Sequence, residues 1–137
     1  MKIAKALLEQ IVAHALEDPA NEVCGVVAVT EHPEPTASRV LRARNVHASP
    51  MKFEIDPREL LELHNAIEEQ GEELGAIYHS HVRSPPYPSQ TDVNFAANWP
   101  GVEWIIVGLK AGAEPEVRSY LIEGGTISEV PIAEPDG

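Results

Sequence analysis

Leu74-Gly75-Ala76-Ile77-Tyr78-His79-Ser80-His81 is the stretch on which the reading of this chain turns. The uncharged run before His79 reads as a buried strand, and residues two apart on a strand point to the same face. The imidazoles of His79 and His81 can therefore share one metal ion. After seven intervening residues comes Ser89, and after two more comes Asp92. Zinc that must activate a water takes three protein ligands from imidazole nitrogen and carboxylate oxygen and leaves its fourth tetrahedral position open. Two imidazoles and a carboxylate stand here within one short segment. Residues 82–88, with three prolines in seven positions, form a stiff loop able to return the chain to the same face. Ser89 opens the apolar-periodic stretch Val93-Asn94-Phe95-Ala96-Ala97, where a helix N-cap belongs. A Ser followed three residues later by an acid is also a capping-box signal, so Ser89 and Asp92 have a structural reading beside the chemical one. One hydroxyl and one carboxylate can serve both ends if the helix start faces the metal.

Composition bounds the rest. With 137 residues and 43% hydrophobic content, the chain reads as one domain that buries roughly two-thirds of the surface its unfolded form exposes. The single Cys24 excludes a disulfide framework and a cysteine-rich zinc site, and suits a reducing cytoplasm. Cys24 lies in an apolar run and reads as a small buried hydrophobe. No segment approaches ~18 uncharged apolar residues, so neither secretion nor a membrane span is expected. A formal net charge of −12 argues against nucleic acid as the main partner, because phosphate binding needs clustered Lys and Arg.

Along the chain, helix and strand signals alternate once, without repeats. Ile3, Leu7, Leu8, Ile11, Val12, Ala15 and Leu16 recur at helical spacing, and Asp18-Pro19 closes that helix. Residues 23–29 read as a buried strand, 39–46 as an alternating one and 53–55 as a short one. Asp56-Pro57 starts a second helix whose Leu60, Leu61, Leu63 and Ile67 pattern runs to Gly71. His14 and His64 fall on these helices and read as surface or packed residues, and His32 as an exposed loop residue. Residues 104–109 read as a further strand, and 117–122 and 126–130 as a hairpin around Gly124-Gly125. Residues 133–137 read as a loose tail.

The string from His79-Ser80-His81 through Ser89 to Asp92, together with Glu22 in Asn21-Glu22-Val23-Cys24-Gly25, resembles the JAMM motif of the Mov34/MPN/PAD-1 zinc metallopeptidases, the MPN-plus or JAB1-type domains. The likeness covers residues 1–132 as one domain. It is similar in particular to small bacterial members that process ubiquitin-like sulfur-carrier proteins, through Glu22-Val23-Cys24-Gly25-Val26, Phe53-Glu54-Ile55-Asp56 and Ile77-Tyr78-His79-Ser80-His81. Many relatives have Pro directly after the second His, where this chain has Val82. The resemblance implies a single α/β domain of the JAB/MPN, cytidine-deaminase-like fold, with a mixed sheet flanked by helices. It also implies one zinc per chain on His79, His81 and Asp92, with Glu22 as general acid/base and Ser89 as donor to the developing oxyanion. Composition alone would read Glu22 as a solvated strand-start residue.

The activity so implied is hydrolysis of a peptide or isopeptide bond at the C-terminus of a ubiquitin-like or sulfur-carrier protein with a Gly-Gly-type tail, with release of cysteine among the options. A zinc deaminase is excluded, since H-x-E with a P-C-x-x-C pair cannot be built from one cysteine. Two other readings stand beside the favoured one. A metal-free scaffold module would have lost the ligands, which are all present. A general deubiquitinase would carry insertions for which this compact chain has little room. Residues 48–53 and 83–87 are expected to line a narrow groove that holds the substrate tail as an added strand. Oligomeric state is left open, with a homodimer among the options.

Overall fold

The computed structural model describes residues 1–110 and 113–135. Six strands form one sheet in the order β2-β1-β3-β4-β5-β6. They are β1 (Cys24–Thr30), β2 (Thr36–Ala43), β3 (Glu73–His81), β4 (Glu103–Gly108), β5 (Glu116–Glu123) and β6 (Thr126–Val130). Only β3 and β4 run parallel; the other neighbours are antiparallel, so the sheet is mixed. A parallel pair needs a crossover, and the chain between β3 and β4 contains α3 (Gln90–Ala96). Helices α1 (Lys5–Glu17) and α2 (Pro57–Glu69) complete the domain.

The two-residue period of the strands splits the core into two layers. Val26, Ile77, Trp104 and Ile106 pack with Leu60 and Ile67 of α2 and Ala96 of α3. Val27, Ala76, Tyr78, Ile105 and Val107 pack with Ile11 and Ala15 of α1. His79 and His81 share the parity of Ile77 and so face the α2/α3 layer, while Tyr78 faces α1. The Tyr78 hydroxyl lies 2.7 Å from His14 Nδ1, which ties α1 to β3 and accounts for His14 as a packed residue. His64 sits 3.5 Å from Glu68 on α2.

Several boundaries differ from the sequence reading. The second strand runs three residues earlier than expected, because Thr36 bridges to Lys2 and the chain leaves the sheet after Ala43. Residues 53–55 form no strand; Ile55 makes one isolated bridge to Asn45, and the segment packs over the site instead. Leu16 and Leu61, counted on the apolar stripes, are 54% and 60% exposed. The β5–β6 turn does centre on Gly124-Gly125, whose φ values of +56° and +81° are those of a two-residue hairpin turn that favours glycine. Of the segment read as a loose tail, Ala133 bridges to Lys2, and residues 136 and 137 lie outside the described residues. Among the described residues no helix is long and apolar enough to cross a membrane.

Candidate metal centre

The end of β3 brings His79 and His81 onto one face, as their spacing requires, with their Nε2 atoms 3.0 Å apart. Asp92, in the first turn of α3, brings Oδ2 to 3.2 Å from His79 Nε2 and 3.4 Å from His81 Nε2. A tetrahedral zinc with ligand bonds of about 2.0–2.1 Å separates its ligand atoms by roughly 3.3 Å. The triangle of two nitrogens and one oxygen fits that spacing on all three sides.

Glu22 is the fourth buried titratable residue here, at 6% exposure. It precedes β1, and antiparallel pairing of Cys24 with His79 brings it beside the histidines. Its carboxylate and the two imidazoles offer ligand atoms that all lie within 4.8 Å of one another. Glu22 and Asp92 thus compete for the third place. Asp92 lies 3.2 and 3.4 Å from the two histidine nitrogens, and Glu22 lies within 4.8 Å of them.

Each side chain is held by a different device. His81 Nδ1 lies 2.8 Å from the Pro85 carbonyl, which sets the proton on Nδ1 and frees Nε2 when the ring is neutral. The Pro-rich loop is anchored in turn: the Tyr120 hydroxyl donates to the Pro86 carbonyl at 2.5 Å, and the Tyr87 ring packs edge-on against Tyr120. Pro86 also lies so close to Gly108 that a Cβ there would come within 2.7 Å of it. His79 has no comparable hydrogen bond at Nδ1. Its Nδ1 is buried without a partner among the described residues, and its ring stacks on Phe53 at 4.3 Å. On the Nδ1 side, packing rather than a hydrogen bond holds the ring.

Ser89 is the N-cap of α3, and the capping box is complete: Asp92 N donates to Ser89 Oγ at 3.2 Å, and Ser89 N to Asp92 Oδ2 at 2.8 Å. A hydroxyl that accepts one bond still has its own proton to give. Ser89 is exposed, and its Oγ remains free to donate.

Electrostatics follow from burial. Desolvation alone would raise the Asp92 carboxyl, but the His79 charge and bonds from His79, His81 and the Ser89 backbone hold it well below the usual carboxylate range. Desolvation lowers His79, with Asp92 opposing, which favours the neutral ring that metal ligation uses. On His81, burial opposes the shift, yet the Asp92 carboxylate and the Pro85 carbonyl raise it. The cluster therefore attracts one positive charge, which a proton or a metal ion can supply. Burial pushes Glu22 up to about 7, with His81 opposing and Asp92 adding to the shift. Cys24, beside it, is pushed up to about 12 by burial and stays an inert thiol.

Sequence reasoning missed four contributors. Ser80 Oγ accepts from Val23 N at 2.9 Å and pins the end of β1 to β3. Asn45, Tyr120 and the Pro85 carbonyl act from positions with no local signal. Of the expected groove residues, Lys52 and Phe53 line a cleft of about 670 Å³ whose other wall is Thr91, Asp92 and Phe95. Arg83, Ser84, Pro85 and Pro86 line a separate cavity of about 500 Å³, and Ala48 lines a third of about 330 Å³ that includes Glu22.

Residues 4–123 match the family described as prokaryotic homologs of the JAB domain. A CysO-cysteine peptidase of Mycobacterium bovis is 35% identical over 126 residues, covering 92% of this chain and 85% of that protein. A desampylase of Haloferax volcanii is 37% identical over 111 residues, covering 77% and 78%. A solved structure from Desulfitobacterium hafniense superposes with a TM-score of 0.85 at 28% identity, covering 99% of this chain and 93% of that one. The chain therefore belongs to the family of prokaryotic homologs of the JAB domain.

Proposed function

We propose that this JAB-family hydrolase is a zinc peptidase that cuts the amide bond at the end of a Gly-Gly-type tail on a ubiquitin-like or sulfur-carrier protein in the cytoplasm. The observation that carries the reading is the buried triangle of His79, His81 and Asp92, with sides of 3.0, 3.2 and 3.4 Å, beside an acid raised to about 7. In this reading those three residues hold one zinc, which when bound supplies Lewis acidity to a water and to the scissile carbonyl. Glu22 takes the proton of the attacking water on its carboxylate and returns it to the leaving amine. Ser89 donates a hydrogen bond from its hydroxyl to the carbonyl oxygen as negative charge develops there. The cleft between Lys52-Phe53 and Thr91-Phe95 holds the tail extended up to Asp92. Support for this substrate class comes from relatives named as a CysO-cysteine peptidase and a desampylase, which share most of their length with this chain.

The test uses a carrier protein whose Gly-Gly tail is extended by cysteine, by a short peptide or by an isopeptide-linked lysine. Zinc-loaded protein is expected to cut after the second glycine, and the preferred extension identifies the leaving group. Changing the penultimate Gly to Val is expected to abolish cleavage while zinc content stays the same. Equal cutting of Gly and Val tails would remove the narrow-cleft, ubiquitin-like reading. A zinc-free protein that only binds the carrier would favour a scaffold instead.

A further inference from the structure

Asn45 touches neither the metal triangle nor the reacting bond, yet its side chain spends its whole hydrogen-bonding capacity on the ground between them. Nδ2 donates to the Glu22 carbonyl at 3.0 Å and to the Lys52 carbonyl at 3.0 Å. Oδ1 accepts from His47 N at 3.1 Å and from Glu54 N at 3.1 Å. A primary amide has two N–H donors and two acceptor lone pairs, and all four are used. The return contact comes from the same segment, because Glu22 N donates to the Ser49 carbonyl at 2.8 Å. The Glu22 backbone is thus held at its carbonyl by Asn45 and at its N–H by Ser49. The segment that holds it also carries Lys52, Phe53 and Glu54 of the cleft wall, and Phe53 stacks on His79.

We propose that Asn45 is a positioning residue that couples the cleft wall to Glu22, so that the acid is aimed at the reacting bond only while residues 47–54 hold their cleft-lining shape. The inference rests on the role proposed for Glu22. A tail pressed into the cleft pushes on a wall that is hydrogen-bonded, through one amide, to the backbone of the base. Aspartate keeps both acceptor bonds but puts a carboxylate oxygen, in place of the N–H donors, against the Glu22 and Lys52 carbonyls, and alanine leaves the half-buried Glu22 carbonyl and three exposed backbone groups without this partner.

The closing experiment compares Asn45→Asp and Asn45→Ala with Val46→Ala, a truncation of the neighbouring exposed side chain. Each protein is measured for zinc affinity against a chelator, for kcat and KM on the carrier with an extended Gly-Gly tail, and for hydrogen exchange at the Glu22 amide. Both Asn45 variants are expected to lose about 10–100-fold in kcat, the size seen when supporting hydrogen bonds of a site are removed. Zinc affinity should stay within about twofold, because the proposed ligands lie on β3 and α3, and the Glu22 amide should lose protection. Val46→Ala should change none of these. Unchanged kcat with a lowered Tm would make Asn45 merely structural and overturn the inference, as would failure of both variants to fold. A parallel loss of zinc affinity would overturn it too, since Asn45 would then act through the metal ligands. If the unaltered zinc-bound protein does not cut the carrier, the proposed function fails instead. The amide exchange then still decides whether Asn45 clamps Glu22.

Discussion

The two sides of the candidate metal centre are built by different means. His79, His81 and Asp92 stand on the end of β3 and the first turn of α3, within regular elements whose geometry is local. Glu22 stands just before β1, and its backbone is held by Asn45 and Ser49 from a long connection without regular strand structure, residues 44–55. Ligands need positions fixed to within tenths of an ångström, which a strand parity and a helix cap supply. A proton shuttle beside a substrate cleft must answer to what occupies the cleft, and a loop wall can transmit that. The difference predicts that damage on the ligand side removes metal, whereas damage on the Glu22 side removes turnover.

The largest effect is expected at the triangle. His79→Ala or Asp92→Ala should leave well below one zinc per chain after dialysis, measured by elemental analysis, with activity lost altogether. Retention of stoichiometric zinc in both would break the ligand assignment, and retention by Asp92→Ala alone would favour the alternative set of Glu22, His79 and His81.

Next comes the separation of chemistry from binding. Glu22→Gln should keep zinc and tail binding while kcat falls by about 10²–10⁴-fold, the usual contribution of a general base. Ser89→Ala should lose about 10²–10³-fold in kcat if its hydroxyl serves the oxyanion. If Ser89 only caps α3, its loss appears as about 1 kcal/mol of stability with kcat preserved. Melting temperature and kcat on one sample of each variant tell these outcomes apart.

A smaller effect should sharpen the ligand side. Tyr120→Phe removes the donor to the Pro86 carbonyl and frees the loop that presents Pro85 to His81. Zinc affinity should weaken by about tenfold, at the low end for outer hydrogen-bond partners of a metal ligand, with kcat at zinc saturation little changed. Chelator competition measures it.

The smallest concerns the loop side. Ala48 has φ +43°, a left-handed conformation that a Cβ disfavours. Ala48→Gly should raise stability by less than about 1 kcal/mol, the relief being offset by the greater freedom of glycine in the unfolded chain. Denaturant midpoints check the sign, and a loss of stability would mean that the turn at 45–48 is not strained.

Much of the site was legible without coordinates because its signals are local. Parity put His79 and His81 on one face, and the offset from Ser89 to Asp92 announced a helix start that also completes the triangle. The family resemblance added Glu22, which no pattern in its surroundings distinguishes from any other acid. Residues 53–55 show the limit of such reading. Their Phe-x-Ile alternation is that of a strand, but backbone partners exist only around Asn45, so the segment became a cleft wall with Phe53 stacked on His79.

The sequence by itself therefore determined most of the elements, the shared face of His79 and His81 and the cap, since these depend on residues two to four apart. Only the tertiary structure decided which distant groups complete the site. Pairing of β1 with β3 carries Glu22 to the histidines across more than fifty residues, β5 brings Tyr120 under the Pro-rich loop, and Asn45 finds four partners on two segments. Such contacts are made by sheet order and loop closure, which no local periodicity encodes.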